Sequence, residues 1–230
     1  MKMPTGKEKR KQRAKALTVT AKQFAKKLGV KPDDPRVVTE LVDKDGNIKH
    51  PFNLNNARGR IDYKMWKDAW EKEWNSILER KIFSERMTIE EARKQGITTK
   101  PVPCRTVNEI KRDPDGAVSK WKARFVVQGH PGHVTKGVHY WKTFSAAPNI
   151  ATTRILQSLC TLGWYNGNVD IETAYLWGRL PEHEHIAVIL PHEKGTVSIL
   201  RGNIYGLPQA DRVYTETRDK FILTEFNKGP

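Results

Sequence analysis

The stretch Cys104–Gly129, "CRTVNEIKRDPDGAVSKWKARFVVQG", decides how the chain is read. Asp113-Pro114-Asp115-Gly116 is a strong turn signal, and the segments on both sides have strand composition. The reading is a β-hairpin. Side chains alternate along a strand, so Trp121, Ala123, Phe125 and Val127 fall on one face. Lys120, Lys122, Arg124 and Val126 fall on the other. Three cations along one strand face suit phosphate binding. They equally suit a solvated face that blunts a sheet edge.

Working outward, the segment before the hairpin is helical. In "DYKMWKDAWEKEWNSILERKIF", starting at Asp62, residues Trp66, Trp70, Trp74, Ile77 and Leu78 recur at spacings of three and four. That stripe is read as core-facing, with Asp62 as N-cap. Residues 1–60 are read as a basic arm and linker, largely disordered, with a short helix at Thr20–Leu28. "VKPDDPRVV" and "VDKDGNIKHPFNLNNARGR" there are rich in turn formers. Residues 61–230 are read as one folded domain.

After the hairpin, "GHPGHVTKGVHYWKTFSAAPN" reads as a loop. "ATTRILQSLCTLG" reads as a helix with Ile155, Leu156, Leu159 and Cys160 on one face, stopped by Gly163. "WYNGNVDIETAYL" reads as a strand on which Asp170, Glu172 and Ala174 share a face. "HIAVIL" and "TVSILR" form a second hairpin across "PHEKG". "PQADRVYTETRDKFILTEF" reads as a helix with Ala210, Val213, Tyr214, Thr217 and Phe221 at helical spacing. The expected class is α+β, a mainly antiparallel sheet packed with helices.

Charge points to a polyanionic partner. The formal net charge is +15, and residues 1–31 hold nine Lys and two Arg against Glu8 alone. Two cysteines, Cys104 and Cys160, suggest no disulfide framework and an intracellular setting. No apolar run is long enough for a membrane span, and the basic N-terminus lacks the apolar core of a secretory signal. His130, His133 and His139 match no zinc spacing, and His183, His185 and His192 are no better. There is no G-x-G-x-x-G, P-loop or legible Ser/His/Asp arrangement.

One acid stands out. Asp170 lies in the apolar run "VDIETAYLWGRL", Val169 to Leu180. Five blocks in order resemble the reverse transcriptases of copia-type LTR retrotransposons. "WKDAWEKEWNSI" resembles W-x-x-A-x-x-x-E-x-x-S/A-L. "IKRDPDGAVSKWKARFVVQG" is similar to the fingers hairpin V-K-x-x-x-D-G-x-x-x-R-Y-K-A-R-L-V-A-K-G. "YWKTFSAAPNIATTRILQSLC" resembles Y-x-x-T-F-S-P-V. "VDIETAYLWGRLPEHEHIAVILP" resembles V-D-V-K-T-A-F-L-N-G-x-L-x-E-x-V-Y-M-x-x-P. "LRGNIYGLPQADRVY" resembles L-K-K-S-L-Y-G-L-K-Q-A-P-R-x-W-Y.

The resemblance implies polymerase fingers plus a partial palm. It implies template-directed deoxynucleotide addition to a primer, with two magnesium ions clamping the attacking hydroxyl and the leaving pyrophosphate. Asp170 would be the catalytic acid and a metal ligand, joined by the carbonyl of Ile171. Tyr175 would lie beneath the incoming sugar and exclude a 2′-hydroxyl. Lys122 and Arg124 would grip the triphosphate, and Gln209 would line the nucleotide and template pocket. Apart from the resemblance, Lys120, Lys122 and Arg124, with the basic tail, would contact nucleic acid through phosphates. The implied partners are an RNA or DNA template-primer, deoxynucleotides and the rest of a Pol polyprotein, with no membrane. The implied location is the cytoplasm, in a virus-like particle, and/or the nucleus.

The chain departs from the pattern at three places. Pro208 replaces a lysine, Asp211 a proline and Ala146 a proline. The sequence as given reaches Pro230 before any Y-x-D-D hairpin, and Asp33-Asp34 lies in the linker reading. The expectation is therefore an inactive or nearly inactive chain. The other reading is a non-catalytic relic that binds nucleic acid through phosphates, or a degenerate element product with no cellular role.

Overall fold

The computed structural model describes residues 20–227, except 32, 44–46, 116, 147, 148, 166, 168, 192 and 194. The chain divides into two compact units, Met1–Asn75 with Arg105–Phe125, and Ser76–Cys104 with Val126–Pro230.

Much of the segment expected to be a linker is folded into the first unit. The short helix expected at Thr20–Leu28 is present as α1 (residues 20–28), and it buries Ala21, Phe24 and Ala25, whose spacing of three and four makes one apolar face. Helix α2 (Pro35–Leu41) starts where Asp34 caps the Arg36 backbone N–H and Pro35 stands in the first turn. The turn formers Asp34 and Pro35, expected in a linker, are a helix start. Helix α3 (Leu54–Ala57) is capped by Asn53 through the Asn56 N–H. Phe24, Val37, Leu41 and Ala57 join Trp66, Ile110, Val118 and Trp121 in one buried cluster. Each large aliphatic or aromatic side chain there contributes roughly 1.5–3 kcal/mol. Residues 1–19, the rest of the expected arm, lie outside the described residues.

Helix α4 (Tyr63–Glu79) carries the tryptophan stripe. Trp66 and Ile77 are buried and Trp70 and Trp74 partly so, while Leu78 is exposed, off the expected stripe. Phe125 packs against both Trp70 and Trp74 with ring centroids 5.0 Å apart. Asp62 does more than precede the helix. Its buried carboxylate accepts the indole N–H of Trp66 at 2.9 Å and of Trp121 at 3.1 Å, and Arg60 Nε at 2.8 Å.

The expected hairpin is strands β1 (Val102–Arg112) and β2 (Val118–Val127). The expected inner face, Trp121, Ala123, Phe125 and Val127, is buried. The turn closes with the Asp113 N–H donating to the Ala117 carbonyl at 2.9 Å.

In the second unit the hairpin base joins β3 (Ile186–Ile189) and β4 (Ser198–Leu200), giving strand order β2-β1-β3-β4. β3 and β4 pair antiparallel, as expected, while the start of β1 pairs in parallel with β3, Val102 opposite Val188. Helix α5 (Ile89–Lys94) opens with a reciprocal Thr88–Glu91 capping box. Helix α6 (Ile150–Leu159) ends at Gly163 in the left-handed conformation, φ 86°. Ile155 and Leu156 are exposed, Ile155 by 63%, and Leu159 is only partly buried, so this stripe made a helix without making core. Helix α7 (Ala210–Phe226) packs through Ala210 and Val213, while Phe221 is exposed.

One expected strand is absent. The described residues from 164 to 171 form no regular element, and Ala174–Trp177 is a 3-10 turn entered from Thr173 at φ 53°. Asp170, Glu172 and Ala174 therefore do not share a strand face. A strand persists only with a ladder partner, and Asn-Gly composition before Val169 weakens it further.

Candidate functional site

In the first unit the hairpin presents its cations as alternation requires. Lys120 is exposed, and Lys122 and Arg124 are half-buried. On the adjoining strand Glu109 accepts Lys111 at 2.8 Å and Arg124 at 3.4 Å, so part of this face is a charge-paired strand surface. The Lys111 and Arg124 cations hold the Glu109 carboxyl below its ordinary range, the Lys111 hydrogen bond contributing most. Burial, then the neighbouring Arg124 and Lys120 charges, lowers the Lys122 pKa. Glu73 of α4 is a buried acid within reach of the Lys122 charge, and its carboxyl is pushed up by burial despite a hydrogen bond from the Phe125 backbone and that charge. Sequence reading passed over Glu73. The signal was its place beside Trp70 and Trp74 on the buried stripe.

In the second unit the convergence is at Tyr175. The 3-10 turn Ala174–Trp177 places the Tyr175 hydroxyl on the Asp211 carboxylate, in the first turn of α7. The Tyr175 ring meets Tyr205 edge-on at 5.1 Å and Tyr214 at 5.9 Å. The hydrogen bond to Asp211, helped by partial burial, pushes the Tyr175 phenol up to about 12. Two segments that are 36 residues apart in sequence thus meet at one ring.

Two further features hold this geometry. Arg212 makes both its 2.8 and 2.9 Å contacts with the buried Glu184 carboxylate through Nη2, and also binds Glu216 and the Lys142 carbonyl at 2.8 Å. These bonds fix the start of α7. Gly206, at φ 89°, brings the Tyr205-Gly206 loop against the hairpin base, with the Val127 N–H donating to the Tyr205 carbonyl at 2.9 Å. A Cβ on Gly206 would stand 2.1 Å from the Val127 carbonyl oxygen. One on Gly129 would stand 2.2 Å from the Gly206 oxygen. Only glycine allows that mutual approach.

The remaining expected site residues are placed as follows. Asp170 is exposed in the irregular segment before the 3-10 turn, and Ile171 is exposed beside it. Gln209 is buried, its side-chain amide 3.5 Å from the His139 carbonyl, with no partner for Oε1 among the described residues. It lies inside the unit, not on an open wall. Lys120, Lys122 and Arg124 belong to the first unit, and Asp170, Ile171, Tyr175 and Gln209 to the second.

Two magnesium ions need several hard oxygen ligands gathered at one point. Among the described residues no group of three or more His, Cys, Asp or Glu could hold a metal ion. The described residues therefore do not fit a two-metal site by themselves. No helix among them is long and apolar enough to cross a membrane.

Residues 92–229 match the family described as reverse transcriptase (RNA-dependent DNA polymerase). The chain is 29% identical over 131 residues to the retrovirus-related Pol polyprotein from transposon TNT 1-94 of Nicotiana tabacum, which covers 55% of this chain and 10% of that protein. It is 30% identical over 129 residues to the Pol polyprotein from transposon RE1 of Arabidopsis thaliana, covering 54% and 9%. It is 28% identical over 128 residues to that from transposon RE2 of the same plant, again covering 54% and 9%. The chain thus spans about a tenth of the length of these relatives. No solved structure matches it. Five sequence blocks in order, and a family match over the segment that holds Tyr175 and Asp211, place this chain in the reverse transcriptase family of copia-type retrotransposon Pol polyproteins.

Proposed function

We propose that this chain is the nucleotide-handling and template-handling part, fingers and partial palm, of a copia-type RNA-directed DNA polymerase, and that alone it incorporates no nucleotide. The observation that carries the reading is the meeting at Tyr175. "VDIETAY" and "YGLPQADR" resemble separate blocks of the family pattern, and the fold joins them through the Tyr175–Asp211 hydrogen bond and the Tyr205 ring.

On this reading Tyr175 lies under the sugar of a deoxynucleotide, and its ring excludes a 2′-hydroxyl. Lys122 and Arg124, on the first unit, are offered to phosphates, and Arg124 has the planar geometry for bidentate phosphate contact. Lys120 adds to template contact. Asp170 and the Ile171 carbonyl are offered to magnesium, but Asp170 is one carboxylate and the described residues gather no set around it. The working protein is a Pol polyprotein product acting inside the cell, in cytoplasmic particles or the nucleus, on an RNA or DNA template-primer.

Primer extension with the purified chain, magnesium and template-primer tests this. Incorporation at background level is expected. Robust incorporation that Asp170→Ala abolishes would show that the chain holds a complete site.

A second reading is favoured by the charge. Residues 1–31 account for ten of the fifteen net positive charges, so phosphate-driven binding of nucleic acid without chemistry is the other use of this chain. Loss of nucleotide preference together with intact nucleic-acid binding would select it.

A further inference from the structure

We propose that Asp211 is a positioning residue for sugar discrimination: by holding the Tyr175 hydroxyl it fixes the ring that faces the incoming nucleotide. This rests on the reading of Tyr175 given above. Asp211 stands where the family pattern quoted above has proline, which offers no side-chain acceptor.

The geometry makes Asp211 the end-stop of the ring. Tyr175 stands on a short 3-10 turn, entered through the left-handed Thr173, with little helical length to hold it. Tyr205 and Tyr214 meet the ring edge-on, at 87° and 74°. Such edge contacts are weak, and they leave the hydroxyl end to be fixed. Asp211 fixes it from the first turn of α7, where the helix dipole favours a carboxylate. The next residue, Arg212, is locked to the buried Glu184, so the acceptor sits on a fixed element. A sugar gate works by the position of one ring edge, so play in the ring weakens its exclusion of the larger ribose.

The test is equilibrium binding of a deoxynucleoside triphosphate and its ribonucleotide to the full chain with magnesium. It is run on wild type, Asp211→Ala, Asp211→Asn and Tyr175→Ala. Ionisation of Tyr175 is followed in parallel by carbon-labelled tyrosine NMR, assigned with Tyr175→Phe. Wild type should prefer the deoxynucleotide. Asp211→Ala should narrow that preference by about three- to ten-fold, the worth of one hydrogen bond. Asp211→Asn keeps an acceptor and should keep the preference, while Tyr175 ionises at lower pH in both Asp211 variants.

An unchanged preference in Asp211→Ala overturns the proposal, whatever the titration shows. A preference lost equally in Asp211→Asn also overturns it, because charge and not anchoring would then be responsible. If wild type binds neither nucleotide, or Tyr175→Ala keeps the preference, the reading of Tyr175 itself falls, and this proposal with it.

Discussion

Removing the Asp62 carboxylate leaves one guanidinium and two indole N–H groups without their acceptor in the interior of the first unit. Breaking a buried charged network in this way costs about 3–5 kcal/mol. Asp62→Ala should therefore lower the urea midpoint sharply, and Asp62→Asn by less, since its amide oxygen still accepts. The two cysteines give a second prediction. Burial, with Glu193 nearby, pushes the Cys104 thiol up to about 12, while Cys160 is exposed. The folded chain should show one rapidly alkylated thiol, and mass mapping should find it at Cys160. Between about pH 9 and pH 12 the unfolded chain loses a Cys104 proton that the folded chain retains, so stability should fall as pH rises through that window. Of these residue roles only part was legible. Asp170 stood out because a carboxylate in an apolar run is anomalous. Asp62 reads as a helix cap, because a sequence shows the helix that follows an acid but not the indole of a distant strand.

Glycines 129 and 206 decide how closely the Tyr205-Gly206 loop approaches the base of β2. Gly206→Ala must move backbone, since the added carbon would meet a carbonyl oxygen at 2.1 Å. A loss of at least about 3 kcal/mol is expected. Gly96→Ala also has a left-handed φ but open space around it, and should cost about 1 kcal/mol. Equal effects by thermal unfolding would contradict this picture. Among the elements, both hairpins and the helices α1, α4, α6 and α7 are readable from period and turn chemistry. Helix α2 was hidden because Asp-Pro reads both as a turn and as a helix start. The strand expected at Asp170 failed for a reason periodicity cannot express: alternation describes a face, but a strand also needs a neighbour to bond. The exposure of Ile155 and Leu156 on α6 has the same lesson, since an amphipathic pattern specifies a helix and not what covers it.

For the whole molecule, charge separates attraction from chemistry. Deleting residues 1–19, which leaves helix α1 and its buried Phe24 in place, removes six of the fifteen net positive charges, so nucleic-acid affinity should fall and its salt dependence flatten. Unchanged affinity and slope would show that binding lies in the folded units. The family was legible in the sequence because five blocks kept their order. The division into two units was not, because the boundary cuts through α4 and the first hairpin, elements that look continuous in sequence.

The most direct measurement is photochemical cross-linking of a deoxynucleoside triphosphate to the chain, with the adduct mapped by peptide sequencing. The account predicts adducts in the peptides holding Tyr175 and Tyr205–Asp211, competed by deoxynucleotide better than by ribonucleotide. Adducts confined to other parts of the chain, or none above the level of Tyr175→Ala, would contradict it.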